Sequence, residues 1–348
     1  TILGTIYQGN FFSYGYSFNN RSDLDTAISL WNTDQSNAID TYGNIKYWSF
    51  TSNLTDFSDL FLSNASFNED ISSWNVKKIT SMYRMFSSAI SFNQDLSNWN
   101  TKNVTNMSYM FSGAESFNCN INSSADGSKW NVSNVTNMDR MFMDATSFNG
   151  IISDWNVSFV TQMSSMFNNS SFNQPIGNWI VSSVNDMNRM FYKNDAFNQP
   201  IGNWTVSSVT KMNDMFIDAT SFSQDVRKWS LNLNVTLNRF CGRATEFVKR
   251  WRAYPGLDDN ADETDINTQP TPDFFILPDQ RITTFTNQSH FEQALSKFKI
   301  DYPNSKIISN DSTPGYADIY GYIQNWDTQN VTNMDLAFDA FTDSFLQN

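Results

Sequence analysis

The side chains best suited to chemistry are few. The 348-residue chain has one histidine, His290, and two cysteines, Cys119 and Cys241. A Ser-His-Asp triad, or any metal site built on imidazole, would have to use that one histidine. Two cysteines make neither a disulfide framework nor a zinc pattern. Asp258, Asn260 and Asp262 follow D-x-N-x-D, the opening of a calcium loop with oxygen ligands at alternate positions. The glycine that loop requires is replaced by Glu263, and its closing glutamate by Gln269. That excludes an EF-hand and leaves only a looser calcium site. A glycosidase pair needs carboxyls ~5–10 Å apart; Asp154 is an occasional outward acid with no second one recurring beside it. No catalytic residue, cofactor or metal is assigned, and a non-enzymatic protein is expected, with a glycan-processing enzyme as a remote alternative.

The other chemical pattern is Asn-x-Ser/Thr. Sixteen such triplets occur, among them Asn53, Asn64, Asn103, Asn131, Asn134, Asn156, Asn203, Asn287 and Asn330. They are candidate glycosylation sites in a host that modifies them. Many are by-products of a repeated frame, because W-N-V-S and N-V-T recur for packing reasons.

That frame is the element that must position everything else. Tryptophans fall at Trp48, Trp74, Trp99, Trp130, Trp155, Trp179, Trp204 and Trp229, at intervals of 26, 25, 31, 25, 24, 25 and 25. The long interval is a 25-residue unit with an insertion near 123–128. Each unit first reads I-x-x-W-x-V, as in Ile152, Trp155 and Val157, with Trp and Val on one face of an extended segment. It then reads V-T-x-M-x-x-M-F-x-x-A-x-x-F, as in Val135, Met138, Met141, Phe142, Ala145 and Phe148. Steps of three and one predict a short helix or 3₁₀ turn, with Thr136 and Asp139 spaced like a capping box. One such unit cannot bury its own apolar face, whereas stacked copies can. The fold expected is a repeat solenoid, with one short parallel strand and one short helix or 3₁₀ turn per ~25-residue repeat. Asn68, Asn93, Asn118, Asn149, Asn173 and Asn198 each follow the closing Phe and are expected to form an asparagine ladder. The methionine stripe reads as core filling.

The frame W-N-V-S-x-V-T-N-M-x-x-M-F-x-x-A-x-x-F-N-Q-D-I resembles the repeats of mycoplasma-lipoprotein-type surface proteins. These are related to the BspA-like branch of the leucine-rich-repeat superfamily. The resemblance covers residues 48–250 and again 323–341. It implies a leucine-rich-repeat-like solenoid on an extracellular cell or virion surface, used for adhesion or assembly. No lipidation cysteine lies near this N-terminus, so the resemblance does not extend to a lipid anchor.

Four regions follow. Residues 1–47 read as an N-terminal cap or degenerate first turn, in which Ala27–Thr33 mimic the tryptophan strand. Residues 48–250 hold about eight repeats. Residues 251–322 are rich in Pro and Asp and read as an irregular insertion or small subdomain. Residues 289–298 are expected as a short helix and 306–309 as a strand. Residues 323–348 restart the frame. Trp326, Val331, Met334 and Phe338 are then candidates for head-to-tail self-assembly, since a fresh repeat at an open end can be extended by another copy.

A net charge of −13 without a basic cluster argues against nucleic acid and anionic membranes. No apolar run approaches a membrane span. Cys119 and Cys241 lie five repeats apart, roughly 24 Å at ~4.8 Å per coil, so no bridge between them is expected. The function expected is a surface structural protein with copies of itself or other surface proteins as partners. The alternative is an adhesin using the concave strand face (Asn75, Lys77, Asn100, Lys102, Asn131, Ser133, Asn156, Ser158) for a glycan or host-surface ligand. That face lacks the aromatic and arginine anchors of a tight hot spot.

Overall fold

The computed structural model describes residues 15–123, 128–252, 256–257, 262–275, 283–284 and 326–327. Eight successive coils lie side by side, tied by single parallel bridges from Asp56 through Ser81, Asn106, Asn137, Gln162, Asp186 and Lys211 to Thr236. The core runs along this column as files of like residues. Phe86, Phe111 and Phe142 stack at 5.5 and 5.6 Å, within 6° of parallel. A second file, Phe92, Phe117 and Phe148, stacks at 6.0 and 5.9 Å. Trp74 and Trp99 stack at 6.4 Å. Offset aromatic stacks of this kind add about 0.5–1.5 kcal/mol each beyond burial. Tryptophan N–H groups donate across coils, as Trp99 Nε1 does to Ile71 O and Trp155 Nε1 to Ile121 O, whereas the buried Trp130 Nε1 has no partner among the described residues. The methionines between the files are fully buried.

Within the coils, local structure departs from the sequence reading in both halves of the repeat. The I-x-x-W-x-V segment is not the bridged strand, because Trp74 N bonds Ile71 O and Ile79 N bonds Val76 O, closing two tight turns. The bridge falls instead on the residue after V-T. The M-x-x-M-F segment is not helical either. In the second coil Met85 N bonds Met82 O and Ala89 N bonds Phe86 O, with Arg84 and Ser88 at φ of 53° and 59°. A positive φ at the third residue of an i→i+3 turn is the signature of type II geometry. Alternate amides leave the coil: those of Met82, Arg84, Phe86 and Ser88 bond the carbonyls of Asn106, Ser108, Met110 and Ser112. Paired turns and a helix share the same apolar spacing, but only the turns free every second N–H for the next coil. The Thr136–Asp139 capping box is accordingly absent: Thr136 Oγ1 donates to Thr105 O.

The asparagine ladder is present. Asn68 Oδ1 accepts from Asn93 N, and the pattern repeats through Asn118, Asn149, Asn173 and Asn198 to Ser223.

At the start of the column, β1 (Ser17–Phe18) pairs in parallel with β2 (Ser49–Phe50), and α1 (Arg21–Thr33) and α2 (Gln35–Tyr42) lie between them in sequence. Ala27–Thr33 is therefore helix, not a strand mimic. Leu24, Ala27, Ile28 and Trp31 recur at helical spacing and are buried together, and the Asn20 side chain caps the first turn. Trp31 meets Trp48 edge-on at 5.7 Å.

At the other end Leu237, Phe240, Cys241 and Ala244 take the Met, Met, Phe and Ala places. Then α3 (Thr245–Trp251) replaces the usual corner. Residues 262–275 run alongside this last coil: Cys241 N bonds Thr268 O, Arg243 N bonds Asp265 O, and Phe275 stacks on Trp229. Thr283–Thr284 (β3) pairs in parallel with Trp326–Asp327 (β4). The expected helix at 289–298 and strand at 306–309 lie outside the described residues.

Candidate functional site

The first left-handed residues of the coils align into a row along the bridged face: Asp59, Arg84, Tyr109, Arg140, Ser165, Arg189, Asp214 and Arg239, of which Ser165 and Asp214 are buried. The row is a chain of charge pairs. Arg84 meets Asp59 at 3.0 Å. Arg140 donates to the Tyr109 hydroxyl at 2.5 Å and to Asp139 at 2.7 Å, its guanidinium over the Tyr109 ring. Arg189 and Arg239 both bind Asp214, whose side chain is only 6% exposed. A second row one turn further on carries Asp218, held by Arg243 at 2.6 Å.

Ser165 interrupts this row. Its small side chain leaves a groove of about 360 Å³ lined by Arg140, Ser164, Asn188, Arg189, Asn213, Asp214 and Arg239. Arginines stand on both sides, and one carboxylate, Asp214, answers two of them. Asp139 is half-buried beside the groove, and burial pushes its carboxyl above the usual carboxylate range against the pull of Arg140. The floor is rigid: Asn188 Oδ1 accepts from Asn213 N, and Asn213 Oδ1 from Asn238 N. The geometry suits a flat anion held by guanidinium groups.

Sequence reasoning missed this groove. Arg140, Arg189 and Arg239 are isolated cations about 50 residues apart, and only alignment on the 25-residue period puts them in one row. The face expected instead is a set of corners. Asn75, Asn100, Asn131 and Asn156 turn their side-chain oxygens onto the amides of Lys77, Lys102, Ser133 and Ser158, so they brace the chain between Trp and Val.

The sequons lie at these corners too. Asn103 and Asn134 donate their Nδ2 atoms to Lys77 O and Lys102 O of the preceding coil. Asn53 and Asn64 donate theirs to Asn19 and Asn32 of the opening segment. A sugar on any of these four nitrogens would replace one of its two amide hydrogens and leave the other as its only donor. Asn131 is half-buried, while Asn156 and Asn203 are exposed. Asn287, Asn330, His290, Val331, Met334 and Phe338 lie outside the described residues, and of Trp326 only the backbone is described. Asp258 and Asn260 also lie outside them, and Asp262 accepts from the amide and hydroxyl of Thr264. Among the described residues no group of three or more His, Cys, Asp or Glu could hold a metal ion. Both cysteines are free: Cys241 is buried, and Cys119 sits half-buried with its thiol toward Asn93.

Among the described residues no helix is long and apolar enough to cross a membrane. No curated protein and no solved structure matches the chain. One family model matches it four times, over residues 35–149, 123–229, 150–254 and 283–348. Repeated over most of its length in this way, the chain belongs to the family described as Mycoplasma protein of unknown function, DUF285.

Proposed function

We propose that this protein is a non-enzymatic, leucine-rich-repeat-like solenoid on the extracellular face of a cell, and that its bridged face holds an acidic surface ligand in the Arg140–Arg189–Arg239 groove. The observation that carries this reading is the gap at Ser165. It opens a cleft between arginines in a chain of net charge −13, where two of those arginines share one carboxylate. A carboxylate- or sulfate-bearing glycan matches that charge and the planar donors. Coil-to-coil bonds fix the groove before a ligand arrives, which lowers the ordering cost of binding.

Retention on immobilised heparin (sulfate-rich) and on immobilised polysialic acid (carboxylate-rich) tests the proposal. Native protein is expected to be retained at low salt on at least one resin and released as salt rises. Arg140→Ala/Arg189→Ala should abolish retention with an unchanged circular dichroism spectrum, whereas Lys77→Ala/Lys102→Ala at the corners should not. Equal retention of both double variants, or no retention of native protein on either resin, would sink it.

Head-to-tail assembly is a second reading, favoured by one edge of the last coil. Leu233 is fully exposed there, and Leu231, Val235 and Leu237 are only partly buried, an unusual apolar edge. Light scattering should find oligomers that Leu233→Lys disperses. Monomers at high concentration would dismiss this reading.

A further inference from the structure

The opening of the column has its own sequence signature, and each part of it does something visible. Asn20 caps α1. Phe18, Tyr42 and Trp48 form one aromatic cluster, with ring centroids 5.0 to 6.2 Å apart. Gly43 turns the chain at φ 72°, and its carbonyl accepts the Trp48 indole N–H. Ile45 supplies the carbonyl that receives the indole of Trp74. The result is a parallel pairing of Ser17 with Ser49, the residue after the first tryptophan of the column.

The same signature occurs a second time. Phe18, Asn20, Ser22, Ala27 and Ser29 recur as Phe285, Asn287, Ser289, Ala294 and Ser296, each 267 residues later. Asp40-x-Tyr42-Gly43-x-Ile45-x-x-Trp48 recurs as Asp318-x-Tyr320-Gly321-x-Ile323-x-x-Trp326, each 278 residues later. The two offsets differ by eleven residues, an insertion confined to the stretch between the two halves, where added length has little thermodynamic effect. The backbone supplies an independent check. Thr284 pairs in parallel with Asp327. Subtracting the two offsets turns that pair into Ser17 and Ser49, the register of β1 and β2.

We infer that residues 283–348 are a second copy of the opening module: a cap and its own first coil, starting anew and not adding a rung to the coil of Trp229. The 251–322 region is then no insertion within one column. Its first part leans on the last coil, and its second part already belongs to the next cap. The consequence for assembly is direct. The second cap takes the side of the Trp326 coil on which the Trp229 column would otherwise continue, and the opposite side corresponds to the one on which Trp48 stacks on Trp74. A chain built of tandem capped modules presents separate faces, and such faces engage a multivalent surface together.

Disulfide trapping in the full chain, with Cys119→Ser as background, tests the inference. Partners in parallel strands lie ~4.8 Å apart, within reach of a disulfide. Thr284→Cys/Asp327→Cys should cross-link under copper phenanthroline, as should the control Ser17→Cys/Ser49→Cys. Ser230→Cys/Asp327→Cys, which would be neighbours if Trp326 continued the first column, should stay reduced. Cross-linking of that last pair, or failure of the first pair while the control forms, overturns the inference. Hydrogen exchange of Trp326→Ala gives a second reading without engineered thiols. Amides of 283–348 should lose protection while those of Leu237–Ala244 keep theirs; loss at Leu237–Ala244 would show a shared column and overturn it.

Discussion

The central coils and the last coil are made of nearly the same sequence and do opposite things. In the coil of Trp130, Phe142 stacks on Phe111 and Phe167 within 6° of parallel and so offers a flat ring to each neighbour. In the coil of Trp229 the aromatic is displaced by one residue: Phe240 stands in a methionine place and Cys241 in the phenylalanine place. Phe240 meets Phe216 at 72°, edge-on, and its far side faces Phe275 at 88°. The asparagine ladder ends at the same level, where Ser223 follows Asn198. The regular column stops, therefore, where a one-residue shift removes the phenylalanine platform, and the new neighbours are an irregular segment and the short 3₁₀ helix Pro272–Phe275. Repetition extends the core, and a small local error in it makes an end.

The contrast predicts a gradient of damage. Phe142→Ala should be the most harmful, costing about 3–5 kcal/mol because both neighbours are locked in place and cannot collapse into the cavity; Phe275→Ala at the end should cost less than half of that by thermal or chemical unfolding. If the two costs are equal, the end is as cooperative as the middle. Thiol labelling sharpens the point. Burial holds the Cys241 thiol far above its ordinary range, whereas Cys119 is raised less and is half-exposed. Iodoacetamide at pH 8 should modify Cys119 at least ~100-fold faster than Cys241; similar rates would mean that the last coil frays. In the ladder, Asn149→Ala leaves the Asn173 amide and the Gln174 side chain without their acceptor and should cost ~1 kcal/mol, while Asn149→Asp, which keeps an acceptor, should cost less. Equal losses would make the asparagine a packing residue and not a rung.

The smallest effect belongs to the opposite end. The Lys46 ammonium, and then the Ser72 hydroxyl and amide, hold the Asp70 carboxyl down at about 2. An unfolded aspartate titrates near ~3.9. The pair thus adds stability above about pH 4, and that contribution is lost as pH falls toward about 2. Solvent screening keeps it small, since both side chains are some two-fifths exposed. Acid titration of unfolding should show this slope in native protein and lose it in Asp70→Asn.

The interior was legible because it is periodic. Trp, Val, Met, Met, Phe, Ala and Phe fill the same places in unit after unit, and burial follows that list almost residue by residue. The turns were not legible. A type II pair every four residues puts apolar side chains at the same intervals as a helix does, and the residues that would betray a left-handed backbone, Gly and Asn, are mostly replaced there by Asp, Ser, Arg, Tyr and Lys. The opening helices were hidden by a chance likeness: A-I-S-L-W-N-T reads as the tryptophan strand until Leu24 and Trp31 are seen to share a helical face. The groove was illegible for a different reason. Its arginines come from separate coils, so no local window contains two of them.

Left-handed residues in the coils also separate two kinds of change. Sixteen of them, two in each of eight coils, have φ between 52° and 71°, and Gly113 is the one glycine among them. Each non-glycine there costs the fold roughly 1–2 kcal/mol. That cost is lowest for Asn and Asp, which adopt the left-handed region most readily, and apart from Ser165 and Asp214 these residues are exposed or half-exposed. Sequence drift at such positions can therefore rewrite the outer face one coil at a time while the stacked rings beneath stay as they are. A lineage under pressure to alter what its surface displays would have, in these turns, an alphabet it can edit without touching the architecture.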